Sequence, residues 1–171
     1  MDTNAIWKTY IELGEKAYRH GQYDIAESML RAAIKEGPKL RKEPIPLAPV
    51  LENLAEIFCQ QKRYIKSERQ YKRTLELYMR EGKEDNPNVC RILYKVAHLH
   101  LIQKKLSLAE LWYERALEAG KRCKDLDPQQ HAQWILKLVK LWHEFGLHDM
   151  AFKAYQEVLM LRLDMNPTTG K

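Results

Sequence analysis

The chain of 171 residues is poor in helix breakers, with 7 glycines and 7 prolines. Valine and isoleucine clusters alternating with polar residues are missing, so no strands are expected. Its three cysteines, Cys59, Cys90 and Cys123, are an odd number without CxxC spacing. That argues against a disulfide framework or a zinc motif and points to a reducing, cytoplasmic setting. No apolar run approaches the roughly 20 residues of a membrane span. The opening MDTNAIWKTY has neither the basic start nor the apolar stretch of a secretory signal. There is no glycine-rich phosphate loop, no HExxH, no nucleophile elbow, and no carboxylate pair that periodicity leaves unexplained. No enzyme, no cofactor and no metal are therefore expected.

Charged residues make up 30% and the net charge is +6, spread along the chain rather than gathered in a tail. The mean hydropathy of −0.57 is that of a soluble protein. Helical patterning is strong: ESMLRAAIKE, SERQYKRTLEL, AELWYERALEA and AFKAYQEVLML carry apolar residues at three- and four-residue steps. Asn86 precedes Pro87, and Asp127 precedes Pro128. Each pair reads as an N-cap followed by proline in the first turn, where its missing N–H costs nothing. KEPIPLAP, from Lys42 to Pro49, is too rich in proline for a helix interior and reads as a loop leading into a helix.

Laid on itself at shifts of 41, 42 and 42 residues, the chain aligns as four units. One column holds Leu13, Leu54, Val96 and Leu138, and the next Gly14, Ala55, Ala97 and Val139. Later columns hold Ala26, Ser67, Ala109 and Ala151, then Leu30, Tyr71, Tyr113 and Tyr155, then Ala33, Thr74, Ala116 and Val158. Small residues are needed where two helices cross closely, because a large side chain would push the backbones apart. Gly14, Ala26, Ala33, Ala55, Ala97, Ala109, Ala116 and Ala151 are the expected packing residues.

This ruler, with Gly21 and Gly146 at turns and Tyr23 and Tyr64 after them, resembles the tetratricopeptide repeat. The resemblance runs from about residue 4 to 163. The period exceeds the family's usual ~34 residues, which suggests helices longer by roughly a turn each. That longer form is similar to the repeats of kinesin light chains and their bacterial relatives, and EGKEDNPNV (Glu81 to Val89) is similar to their connector. The resemblance implies an all-α, right-handed superhelix in a single domain. Its four units would span about 3–41, 48–85, 87–125 and 128–164, with a loop at 39–47 and a tail at 165–171. Paired helices are expected at about 3–20 and 23–37, 48–61 and 64–81, 87–103 and 106–123, and 128–145 and 148–164.

The resemblance also implies that the first helix of each pair lines a groove for an extended peptide or partner segment. Groove residues would include Asn53 and Glu56, then Arg91, Tyr94, Lys95 and His98, then Lys137 and Lys140. Glu52, Cys59, Leu101, Leu136 and His143 fall on the same stripes. The groove would be acidic at Glu15, Glu52 and Glu56 and basic at Arg91, Lys95, Lys137 and Lys140, the basic half suiting an acidic ligand. Some family members hold a C-terminal carboxylate in a clamp that Asn53, Arg91 and Lys95 match in type. Ile11 and Glu15 depart from it, and Glu15 would repel a carboxylate.

His98 and His100 point to different sides of a helix, and His100 falls in a packing column. Trp112, Trp134 and Trp142 read as core, whereas Trp7 and Tyr10 could be exposed. At the other end Val158, Leu159, Met160 and Leu163 form a dense apolar set, an expected surface for a second copy. Three functions follow: a protein-binding adaptor, a self-assembling scaffold, and, last, an RNA-binding repeat protein, for which Tyr94 with Arg91 and Lys95 is the one cluster of the right kind.

Overall fold

The computed structural model describes residues 3–37, 47–81 and 86–165. Among them are eight α-helices and no strand. These are α1 (Thr3–Arg19), α2 (Tyr23–Glu36), α3 (Leu47–Gln60), α4 (Tyr64–Glu81), α5 (Pro87–Ile102), α6 (Leu106–Arg122), α7 (Pro128–Glu144) and α8 (His148–Met165). The boundaries read from periodicity agree to within a residue. Most of the expected proline-rich loop, the connector from Gly82 to Asp85, and the tail from Asn166 lie outside the described residues. Pro49 sits in the first turn of α3, where its missing N–H removes no helical bond.

The helices form two compact units, residues 1–81 and 82–171. In the first, α1 pairs with α2 and α3 with α4, while α2 packs against α3 and α1 touches α3. In the second, α5 pairs with α6 and α7 with α8, and α5 packs against α7.

Caps and turns fix the ends. Asn86 Oδ1 accepts from the Asn88 N–H at 2.8 Å, and Asp127 accepts from those of Gln129 and Gln130 at 3.2 and 3.1 Å. Both caps precede a proline at the start of the helix, as the sequence suggested. Within each pair the turn has one recurring form. Gly21, Lys62, Lys104 and Gly146 all take positive φ, at 71°, 60°, 59° and 73°. The following N–H, of Gln22, Arg63, Lys105 and Leu147, reaches back to the carbonyl of Ala17, Phe58, His100 and Trp142 at 2.8–3.0 Å. This left-handed closure satisfies carbonyls that the helix end leaves open. Glycine adopts it freely; the two lysines hold it against a steric cost.

The small residues lie where the helices cross. Ala26, Ala33, Ala55, Ala97 and Ala116 are fully buried, with Ala109 and Ala151 nearly so. A methyl on Gly14 would stand 2.8 Å from Leu30 Cδ2, so only glycine lets that leucine settle. Where the columns depart from alanine, the extra polar atom finds a carbonyl. Ser67 Oγ donates to Ala55 O at 2.7 Å, and Thr74 Oγ1 to Gln70 O at 2.9 Å. The first unit's core gathers Trp7, Leu30, Val50, Leu54, Ile57 and Phe58. Trp7 is buried, contrary to the exposure considered from its place near the N-terminus. Leu13 departs the other way: it is 46% exposed, although Leu54, Val96 and Leu138 in its column are buried.

In the second unit an aromatic cluster joins three helices. Tyr94 on α5 meets Tyr113 on α6 and His131 and Trp134 on α7, with ring centroids 5.7–6.1 Å apart. Its hydroxyl lies 2.9 Å from His131 Nε2. A Cβ on Gly120 would fall 2.4 Å from the His131 ring, so α6 approaches the imidazole through bare backbone. Burial lowers the His131 pKa from 6.5 to about 4, the Glu157 charge opposing the shift and that of Lys121 adding to it. The ring is neutral at neutral pH, and Nε2 and the tyrosine hydroxyl share one hydrogen bond. Trp142, 1% exposed, completes the cluster through an edge contact with Tyr113.

Two predictions follow from this packing. Lys62→Gly and Lys104→Gly should each raise stability by about 0.5–1 kcal/mol, and Gly146→Ala should lower it by about 1 kcal/mol, read from urea midpoints. A loss of stability in both lysine variants would contradict the turn strain. For His131 the sign is set by a depressed pKa. Above pH 6.5 the imidazole is neutral folded and unfolded, and contributes nothing pH-dependent. From 6.5 down to about 4 the unfolded chain takes a proton that the folded ring refuses, so stability falls, by up to roughly 3 kcal/mol. His131→Gln should flatten the urea midpoint between pH 6.5 and 4; a variant as steep as the parent would show that other groups set the slope.

Candidate functional site

Charge is sorted by helix. Of the first helices in each pair, α3 carries Glu52 and Glu56 and no lysine or arginine. Its counterpart α5 carries Arg91 and Lys95 and no acid. Lys137 and Lys140 lie on α7, whose one acid is Glu144 at its last residue. The helix α1 is mixed, with Glu12 and Glu15 beside Lys8, Lys16 and Arg19.

In the first unit the acids are tied down. Asn53 Nδ2 donates to Glu15 Oε1 at 3.1 Å, joining α3 to α1. Tyr71 donates its hydroxyl to Glu56 Oε2 at 2.7 Å. Burial, reinforced by the Glu56 charge, pushes the Tyr18 hydroxyl up to about 12. The same two causes drive the Tyr71 pKa strongly upward, so both stay protonated donors. A pocket lined by Gly14, Glu15, Tyr18, Arg19, Leu30 and Asn53 opens there. Asn53, the expected contact for a ligand backbone, thus already spends one N–H on Glu15. The Glu15 carboxylate stands beside it, with Arg19 in the same lining. Glu52 is buried, at 8% exposure.

In the second unit Arg91, Lys95 and His98 are half-buried on α5, and Lys137 and Lys140 are exposed on α7. Arg91 and Lys95, four apart, share one face. Lys140 Nζ lies 3.9 Å from Glu144 Oε1, a loose surface pair of little energetic weight. Two expected groove residues are not available to a ligand. Tyr94 is 4% exposed and holds the aromatic cluster, and Leu101 is fully buried. Tyr94 points toward α6 and α7, where its ring contacts lie, rather than along the stripe of Arg91 and Lys95. With Tyr94 inside, the basic cluster loses the exposed aromatic that base stacking requires.

The remaining side chains separate cleanly. His100 is core, stacked on Trp112 at 6.4 Å and 15°. Cys59 is half-buried, and Cys90 and Cys123 are buried. Cys90 Sγ donates to Ala116 O at 3.3 Å. Burial, with the nearby Cys123, raises its pKa to about 12, far from a reactive thiolate. His143 and His148 bring their Nδ1 atoms to 3.1 Å, but among the described residues no group of three or more ligands could hold a metal. No helix among them is long and apolar enough to cross a membrane. On α8, Val158 is wholly buried, so it cannot serve an interface; Leu159, Met160 and Leu163 are 43%, 60% and 61% exposed. Val158 belongs to the small-residue column, and its side chain faces the crossing.

The pairing of Tyr94 with His131 was missed from sequence. A signal existed, because His131 shares a column with Ile6, Leu47 and Val89, and a histidine in an apolar column is a buried one.

The tetratricopeptide repeat family model matches residues 46–122. Among solved structures, BtubC (BKLC) from P. vanneervenii is similar at a TM-score of 0.81 and 22% identity, covering 100% of this chain and 68% of that one. The pilF protein of Pseudomonas aeruginosa is similar at a TM-score of 0.46 and 18% identity, covering 94% of this chain and 78% of its own. No curated protein is found to match in sequence. The family model covers α3 to α6, so residues 46–122 carry tetratricopeptide repeats, and the BtubC likeness extends the same fold of helix–turn–helix pairs from α1–α2 to α7–α8.

Proposed function

We propose that this chain is a protein-interaction module whose second unit receives an extended, acidic segment of a partner. Tetratricopeptide repeats are in general protein–protein interaction units rather than catalysts, and the chemistry of this chain agrees. Cys90 is buried with its thiol pKa raised to about 12, which makes it a poor nucleophile.

The observation that carries the charge preference is the composition of α5 and α7. The helix α5 carries Arg91 and Lys95 and no acid, and α7 carries Lys137 and Lys140 with one acid, Glu144. A surface rich in one sign attracts a segment of the other, and arginine can bind a carboxylate in a two-pronged manner. The first unit contributes differently. Its acids Glu15 and Glu56 are held by Asn53 and Tyr71, so they offer an acidic segment nothing.

Selection of random peptides displayed on phage tests this reading. Peptides captured by the chain should be enriched in Asp and Glu, and should weaken with salt as charges a Debye length apart are screened. Arg91→Glu/Lys95→Glu should cut their affinity by roughly tenfold or more. Captured peptides without acidic enrichment, or unchanged affinity in the double variant, would count against the basic helices as the binding face.

A further inference from the structure

The outer face of α4 departs from its counterparts. Lys66 stands where the other second helices carry Ile25, Leu108 and Met150. Arg69 stands where they carry Ser28, Leu111 and Lys153, and Arg73 where they carry Ala32, Arg115 and Glu157. With Arg80 these three bases are exposed at steps of three, four and seven residues. At ~3.6 residues per turn the four fall within an arc of about 60°, in a line about 21 Å long. The same face of α2 stays open at Ile25, 51% exposed, although α3 packs on that helix. It is therefore not the face on which successive repeats stack.

The line keeps its charge when the acids around it are counted. On α4, Glu68 is held by Lys72 at 2.7 Å, which leaves Glu76 at the edge of the line and Glu81 at the last residue of the helix. On the helices beside it, Glu27 is taken by Arg31 and Arg63, Asp24 by Gln61, and Glu56 by Tyr71. Lys62, exposed in the turn before α4, adds a fifth base. Five bases thus stand against Glu76 and Glu81.

The line and its flank decide the occupant. Along one side Ile65 is 77% and Met79 41% exposed. A second helix laid along α4, with carboxylates at the same three- and four-residue steps, meets the bases in turn, and apolar residues beside those carboxylates cover Ile65 and Met79. A nucleic-acid backbone matches the charge alone. For its bases α4 offers no exposed aromatic to stack on, because Tyr71 and Tyr78 are buried and Tyr64 is half-buried. A second copy of this chain would offer the acids Glu110, Glu114 and Glu118 of α6, but Arg122 holds Glu118 at 3.0 Å and Arg115 adjoins Glu114. We propose that the outer face of α4 docks an acidic helix of a partner protein, at a place separate from Arg91 and Lys95.

The experiment uses two synthetic helices of ~18 residues, about five turns. One carries glutamate at three- and four-residue steps with leucine beside it; the other has the same composition with the glutamates spread round the helix. Binding to the whole chain is followed by fluorescence anisotropy. The helix with aligned glutamates should bind at least roughly tenfold more tightly than its twin. Arg69→Ser/Arg73→Ala, which gives α4 the residues that α2 carries at these places and so suits the fold, should weaken that binding by about tenfold. Arg91→Glu/Lys95→Glu should leave it intact, which separates this site from the extended-segment reading. Equal binding of the twins, no binding of either, or binding unaffected by Arg69→Ser/Arg73→Ala would overturn the proposal. So would a mixed-sequence DNA duplex that binds more tightly than the aligned helix and loses its hold in the same variant, because nucleic acid would then be the occupant. A concentration-dependent dimer in light scattering that the variant dissolves would overturn it too, in favour of a second copy.

Discussion

Everything in these two units depends on how closely paired helices approach. Gly14 is the extreme case, since one added methyl would press on Leu30 at 2.8 Å. A helix crossing that tight excludes water from the columns beside it, so each atom placed there must be apolar or already bonded. Ser67 and Cys90 show the second route: each donates to the carbonyl of an alanine on the helix it faces. The left-handed turn belongs to the same constraint. It brings the chain back at once, so that residues a few positions either side of Gly21 or Gly146 face one another. Lys62 and Lys104 accept an unfavourable φ because the closing hydrogen bonds to Phe58 and His100 would otherwise be lost.

With the crossings fixed by small residues, the first helices are left to carry chemistry, and they carry it unequally. The acids of the first unit are built into structure: Glu15 binds Asn53 and Glu56 receives Tyr71. Each bond removes part of what a ligand could use and makes the remaining charge rigid. On α5 Arg91 and Lys95 share the helix with no acid, and on α7 Lys137 and Lys140 share it with Glu144, 3.9 Å from Lys140. A face rich in one sign attracts segments of the other.

Element order and helix bounds were legible because periodicity and punctuation agreed. Asn86–Pro87 and Asp127–Pro128 are caps in sequence and in structure. The site was less legible, because a stripe drawn along a helix does not show how that helix is rotated against its neighbours. Tyr94 and Leu101 fell on the expected stripe yet are buried, while Arg91 and Lys95, one turn apart on α5, remain within reach of solvent. An aromatic ring between two basic residues reads as a binding surface from sequence. Its partner His131 lies 37 residues away, and only the shared apolar column of Ile6, Leu47 and Val89 connects the two. Trp7 was misjudged for a related reason. Its place near the N-terminus suggested exposure, but it lies in one core cluster with Val50 and Phe58 of α3.

The helices α1 and α8 differ in the polarity of the faces they leave exposed. On α1, Thr9 and Lys16 stand in the columns where α3 has Val50 and Ile57, and of that stripe Leu13 alone is a large exposed apolar residue. On α8 the substitutions run the other way: Phe152 replaces glutamate, and Met160 stands where Lys35, Glu76 and Glu118 stand in the other helices. Exposed aromatic and aliphatic surface of this kind invites indiscriminate association.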